Sequence, residues 1–307
     1  MTKNKINIGT RSSKLAMWQA HKVKGALEQN FPEAEVEIIT IKTKGDAVLD
    51  VALSKIGDKG LFTREIEIAL LDGRIDVAVH SLKDLPTTLP DKLTLGGVLP
   101  RGEVRDVLVS RDGRSLKELN SEDKIGTSSL RRQAQLLHFN PELKVVDIRG
   151  NVNTRLRKMK EGYCDAMVMA GAGYIRLGLE SEVTEFLEPE VMLPAVSQGA
   201  VAMEIRENDP EMSEIIDSIT DSNTFLTTAA ERTFLKTIEG GCQVPVACYS
   251  EVSGDQIKLT GLVAAVDGSK LLKESVTCNI ESANAEAAAL AEKLLSMGGR
   301  EILKTIR

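Results

Sequence analysis

The sequence predicts an α/β protein of two similar lobes followed by a smaller α+β domain, and three observations carry that prediction. Apolar strand-like segments alternate with helical patterns from Ile6 to Val79, an order that favours a largely parallel sheet covered on both faces. The alternation then repeats from Asp106 to Met169. From Thr224 the style changes to one helix, three successive strand-like segments and a closing helical region.

In order, the first series reads Ile6 to Gly9 as strand, Ser13 to Gln29 as helix, Val36 to Ile41 as strand, Leu61 to Leu71 as helix and Ile75 to Val79 as strand. Leu93 to Leu99 and a polar turn at Pro100 to Glu103 close it. The second series runs through strand Asp106 to Val109, helix Leu130 to Phe139, strand Val145 to Ile148, helix Val152 to Met159 and strand Ala166 to Met169. Two prolines in Glu188 to Pro194 precede another strand, Gly199 to Ile205, which places a crossing between lobes near residues 190 to 200. The last region holds a helix to about Ile238, strands at Val246 to Glu251, Gln256 to Ala265 and Leu271 to Asn279, and helices at Ala283 to Leu295 and Arg300 to Ile306.

At 307 residues the chain exceeds what one hydrophobic core usually organises, since cores stop growing near roughly 250 to 300 residues. A net charge of -6 argues against a general nucleic-acid or anionic-membrane binder. Cys164, Cys242, Cys248 and Cys278 show no CxxC spacing, so neither a disulfide framework nor a metal site is expected, and reducing, cytoplasmic conditions fit best. No apolar run approaches the roughly 18 residues that a membrane span needs. The Walker and dinucleotide glycine patterns are absent, which weakens a nucleotide-binding reading.

Chemistry concentrates in four places. Gly240-Gly241-Cys242-Gln243-Val244-Pro245 sets one thiol on a bare, tightly turned backbone, a place for attachment or simply a half-buried loop cysteine. Between Lys124 and Lys160, nine basic residues face two acids, a net +7 inside an acidic chain. Within it, Gly126 to Arg132 and Arg149 to Arg155 each put small or hydroxyl residues and arginines where a strand gives way to a helix. Free N–H groups, hydroxyls and guanidinium forks there suit carboxylates or phosphates. Lys158 and Lys160 read instead as a solvated face. Thr10-Arg11-Ser12-Ser13 repeats the arrangement after the first strand, with Ser12 or Ser13 able to cap the helix as well. His80-Ser81-Leu82-Lys83-Asp84 follows a strand too; on an extended segment Lys83 and Asp84 point to opposite sides, leaving Asp84 for acid–base work and His80 as a structural hydrogen-bond partner. Glycine-interrupted residues 42 to 60 read as a lid.

With these residues in view, the chain resembles the porphobilinogen deaminase family over essentially its whole length. Ala16-Met17-Trp18-Gln19-Ala20, Lys59-Gly60-Leu61-Phe62, His80 to Asp84, Gly126 to Arg132, Arg149-Gly150-Asn151, Leu193 to Gly199 and Glu239 to Pro245 match its motifs in order. The resemblance implies two periplasmic-binding-protein-like α/β lobes around a cleft plus a small α+β C-terminal domain, divided as 1–99 with 200–218, 100–199 and 219–307. It implies a covalent dipyrromethane cofactor on Cys242 through a thioether. Four porphobilinogen molecules would be joined to it head to tail with loss of ammonia, and water would then free the linear tetrapyrrole hydroxymethylbilane. Ser81, Lys83, Asp84, Thr127, Ser129, Arg131 and Arg132 would hold the cofactor. Arg11, Ser13, Gln19, Phe62, Arg149, Arg155, Arg176 and Gln198 would bind porphobilinogen or the growing polypyrrole chain. Asp84 would be catalytic, stabilising the cation left by deamination, protonating the departing amine and assisting loss of the pyrrole α-proton. A cytoplasmic monomer that binds neither nucleic acid nor membrane is implied as well.

Two other classes fit parts of the sequence. A non-catalytic anion-binding protein would use the lobes and arginines but has no need of a glycine-flanked cysteine in an added domain. A nucleic-acid regulator would need more than one Trp, three Tyr and six Phe for base stacking.

Overall fold

The computed structural model describes residues 3–47, 63–238 and 244–306. Cys242, the expected attachment residue, Phe62 and most of the expected lid lie outside the described residues. The chain divides into two compact units, one of residues 1–102 with 199–226 and one of 103–198 with 227–307.

The first unit is built on a five-stranded sheet in the order β2-β1-β3-β10-β4, formed by β1 (Lys5–Thr10), β2 (Glu35–Thr40), β3 (Val77–Ser81), β4 (Leu93–Val98) and β10 (Val201–Arg206). Alternation in β3 and β10 sends Val77, Val79, Val201, Met203 and Ile205 to one face. There they pack with Ala20, Val23 and Leu27 of the helix Lys14–Asn30 and with Met212, Ile215 and Ile216 of the helix Pro210–Asp217. Ala78 on the other face packs against Ile66, Ala69 and Leu70 of the helix Arg64–Leu71.

The second unit repeats the plan. Its sheet, in the order β7-β6-β8-β5-β9, comprises β5 (Asp106–Ser110), β6 (Lys124–Gly126), β7 (Lys144–Val146), β8 (Ala166–Ala170) and β9 (Glu185–Leu187). Helices Leu130–Phe139, Val152–Lys160 and Gly171–Arg176 follow β6, β7 and β8. The expectation of largely parallel sheets is corrected in both units. β1 runs parallel to β2 and β3, and β6 parallel to β7 and β8, whereas β10 is antiparallel to β3 and β4, and β5 antiparallel to β8 and β9. Three parallel strands with crossover helices form locally, but β10 and β5 are not joined to their neighbours by a crossover helix and run against them, and β4 and β9 pair antiparallel to these two. The three-residue strands β6 and β9 and the helices Gly171–Arg176 and Pro210–Asp217 were not anticipated. They are too short for periodicity to mark them.

The second unit also contains an antiparallel sheet of β11 (Val246–Ser253), β12 (Gln256–Ala264) and β13 (Leu271–Asn279). Ala247, Leu262 and Ala264 pack against Ala134 of the helix Leu130–Phe139 and Leu193. Gly261 on β12 meets Phe234 of the helix Ser222–Thr237, leaving no room for a side chain: a Cβ there would lie 2.5 Å from the ring. Gly261→Ala should therefore destabilise the protein by about 1–3 kcal/mol through overpacking, measured as a lowered midpoint in denaturant unfolding with unchanged slope.

Candidate active site

In the first unit, β1 and β3 are parallel neighbours, with Ile8 beside Val77 and Gly9 beside Ala78, so their carboxyl ends emerge at one edge. That edge is where ligands gather in open α/β sheets. Arg11 follows β1, half-buried, and Ser13 caps the helix Lys14–Asn30, its Oγ accepting from the Ala16 amide at 3.3 Å. Gln19, buried one and a half turns along the helix, donates its Nε2 to Ser81 Oγ at 2.8 Å and thereby ties the helix to the end of β3. The Leu82 amide donates to the Ala200 carbonyl, and Leu82–Asp84 then turn as one 3₁₀ element. The extended conformation expected for Lys83 and Asp84 is thus corrected: Leu82 is buried as the anchor of the turn. Lys83 is half-buried and Asp84 exposed, and among the described residues no hydrogen bond or ion pair ties the Asp84 carboxylate.

In the second unit, β6, β7 and β8 are parallel neighbours, and the three segments that leave their carboxyl ends carry the predicted arginines. After β6, Thr127 is buried, its Oγ1 accepting from the Ser129 amide, and Ser129 caps the helix by accepting from the Arg132 amide. Arg131 and Arg132 on the first turn are 4% and 7% exposed, and both converge on Asp106, which is fully buried at the start of β5. Arg131 Nη1 lies 2.7 Å from Asp106 Oδ2 and donates to the Leu193 carbonyl at 2.7 Å. Arg132 donates to Asp106 Oδ1 from Nε at 3.1 Å and Nη2 at 2.8 Å, and from Nη1 to the Val168 carbonyl at 3.2 Å. Gln198, fully buried, donates to Asp106 Oδ1 at 3.0 Å and to the Val104 carbonyl at 2.7 Å. Burial works against the Asp106 carboxylate, but the two guanidinium charges and their hydrogen bonds outweigh it and hold its pKa below the usual range.

After β7, Gly150 takes φ 115° and lets Asn151 cap the helix Val152–Lys160 by accepting from the Thr154 amide. Arg149 donates to Asp147 Oδ2 at 3.3 Å, and Lys158, expected on a solvated face, donates to the Arg149 carbonyl. Arg155 donates Nε to the Gly150 carbonyl at 2.7 Å; burial pushes its pKa down to about 10, with repulsion from Arg132 and Arg149 adding to it. Burial also pushes Arg176, at the end of the helix after β8, down to about 10. Burial lowers Arg131 too, against the pull of Asp106.

The lowered values of Arg131, Arg155 and Arg176 share one leading cause: burial strips water from a guanidinium group whose charge needs it. Arg131 and Arg132 share a single buried carboxylate, and Arg155 lies within range of their charge. A ligand bearing several carboxylates restores the balance, so this donor set fits a dipyrromethane with its acidic side chains. Asp106, Gln198 as a partner of Asp106, and Gln19 as a partner of Ser81 are what sequence reasoning missed. For Asp106 a signal existed: an aspartate opening the apolar run Val107-Leu108-Val109 demands a cationic partner.

Fold and donor groups define the chain as an α/β protein that gathers guanidinium and hydroxyl groups at the carboxyl ends of its parallel strands. Residues 6–214 match the family model described as porphobilinogen deaminase, dipyromethane cofactor binding domain, and residues 225–296 match that of the porphobilinogen deaminase C-terminal domain. Relatives named porphobilinogen deaminase include one from Desulforamulus reducens, 47% identical over 99% of this chain and 99% of that protein. One from Syntrophomonas wolfei is 50% identical over 97% of each, and one from Geobacter sulfurreducens 48% identical over 100% of this chain and 96% of that protein. A solved TRAP periplasmic solute binding protein from Desulfovibrio salexigens has a TM-score of 0.45 at 9% identity, covering 73% of this chain and 74% of that one. The chain belongs to the porphobilinogen deaminase family.

Asp106 should behave as the keystone of the arginine pair. Asp106→Asn should cost about 3–5 kcal/mol at neutral pH, because it leaves two buried cations uncompensated. Its folded pKa lies below the ordinary 3.8, so its stabilisation is fully present above that value and is lost as pH falls through the folded pKa. The stability gap between wild type and variant, measured by denaturant unfolding, should therefore stay constant from neutral pH to about 4 and narrow below it.

Proposed function

We propose that this chain is a hydroxymethylbilane synthase: it condenses four porphobilinogen molecules head to tail, with loss of ammonia, onto a covalently bound dipyrromethane, and releases the linear tetrapyrrole by hydrolysis. The observation that carries this reading is the buried Arg131–Arg132 pair sharing the single carboxylate of Asp106 after β6, with half-buried Arg149 and Arg155 after β7, in a chain of this family. Each porphobilinogen brings an acetate and a propionate, so every addition deepens the need for such groups.

Cys242, in the Gly-Gly-Cys-Gln-Val-Pro motif, is the attachment residue of this reading. When bound, the dipyrromethane supplies the primer, a pyrrole with a free α-carbon. Ser81, Lys83, Asp84, Thr127, Ser129, Arg131 and Arg132 hold it. Arg11, Ser13, Arg149, Arg155 and Arg176 take the carboxylates of substrate and growing chain, and Phe62 packs on a pyrrole ring. Gln19 and Gln198 bind substrate in this reading and also align Ser81 and Asp106, to which their side-chain amides donate.

Asp84 does the proton work. Its carboxyl protonates the departing amine so that ammonia leaves, and its carboxylate opposes the positive charge left on the methylene carbon. After the new carbon–carbon bond forms, the same carboxylate accepts the proton lost from the pyrrole α-carbon, which restores its starting state. Four such cycles are proton-neutral at Asp84. The three-domain division, 1–99 with 200–218, 100–199 and 219–307, and a cytoplasmic monomer, complete the reading. Among the described residues no helix is long and apolar enough to cross a membrane.

Intact-protein mass spectrometry of protein expressed in cells making porphobilinogen should show one dipyrromethane adduct, absent in Cys242→Ser; a bare polypeptide mass from the wild type would overturn the reading. Asp84→Asn should keep fold and adduct while porphobilinogen consumption falls by at least about a hundredfold, the usual scale for losing a general acid–base.

A further inference from the structure

Outside the arginine set, one buried cluster of titratable groups has no part in the chemistry above. On β3, Val77 and Val79 face one core, so His80 faces the other side with Ala78. There His80 Nε2 lies 3.0 Å from Glu204 Oε2 on β10, with side chains 5% and 0% exposed. The strands are paired antiparallel, Ala202 opposite His80 and Glu204 opposite Ala78, so the contact is diagonal across the ladder. Glu204 Oε1 has no hydrogen-bond partner among the described residues. Glu67, from the helix Arg64–Leu71, is the third member: buried, its pKa raised first by that burial and further by the Glu204 charge.

A core built for stability alone does not need this. Burying a carboxylate costs free energy that a single imidazole contact returns incompletely, and an apolar pair of similar volume would serve at least as well. What the pair supplies is direction at one point of the chain. His80 is held by β10, Ser81 by Gln19 and Leu82 by the Ala200 carbonyl, so three consecutive residues are pinned to three different places. Lys83 and Asp84 project directly from that base.

We propose that the buried His80–Glu204 pair is a positioning device for the reaction: it sets the strand end from which Asp84 projects, and so governs turnover more than substrate affinity. The proposal rests on the assignment of Asp84 above. Small displacements of a catalytic group are costly, on the order of a hundredfold for 1 Å, whereas carboxylate binding by several arginines tolerates them.

The test uses full-length protein with porphobilinogen as substrate and compares wild type, His80→Leu and the double variant His80→Leu/Glu204→Leu by kcat, KM and thermal midpoint. His80→Leu strands a buried carboxylate, so its midpoint should fall and its kcat should drop by at least about tenfold at a KM within about threefold of wild type. In the double variant the stranded charge is gone, so the midpoint should recover while kcat stays low. Recovery of kcat together with the midpoint would reduce the pair to a structural role and overturn the proposal, as would a wild-type kcat in His80→Leu. A wild type that neither carries an adduct nor consumes porphobilinogen would refute the functional reading instead.

Discussion

One buried carboxylate sets the terms for the rest of the candidate site. Asp106 enters the second sheet as the first residue of β5, fully out of water, and two guanidinium groups and one amide close on it. An isolated carboxylate could not be held there, and two isolated arginines could not be held beside it. Together they are stable but carry a net positive charge, which the surrounding arginines increase. That incomplete neutralisation is what suits the set to the polyanion of the proposed function. The protein keeps its cations poised by giving them one fixed partner too few.

The two units reach their donor groups by the same construction. Each sheet has three parallel strands joined by helices, one strand that runs against them and an outer strand paired antiparallel to that one, and the candidate site residues leave the carboxyl ends of the parallel three. Ser13, Ser129 and Asn151 each cap the helix that follows. The cap orders the turn, and the ordered turn holds the neighbouring arginine in place. Stability and the proposed ligand binding thus draw on the same few residues, Ser13 and Ser129 among them.

Much of this was legible from residues alone. The helix Leu130–Phe139 and strand Leu271–Asn279 have the limits their periodicity indicates, because a continuous amphipathic or alternating pattern is long enough there to outweigh local noise. The arginine-bearing turns were legible for a different reason: hydroxyl, glycine and arginine at a strand-to-helix junction have few other uses. Strand direction was not legible. β10 and β5 have the same apolar character whichever way they run, and only their pairing partners decide it. Nor were the partners of Gln198 and Gln19: nothing local in the sequence marks that their amides donate to Asp106 and Ser81.

By itself the sequence determined the elements, the family and the chemistry of the donor groups, since these depend on side-chain type and near-neighbour spacing. Tertiary structure decided which charges meet. Asp106 and Arg131 are distant in sequence, as are His80 and Glu204, and each pair exists only because sheet order places two strands or a strand and a helix start side by side. The energy of a buried charge depends on that placement and on the exclusion of water around it, and neither is a property of any local stretch of chain.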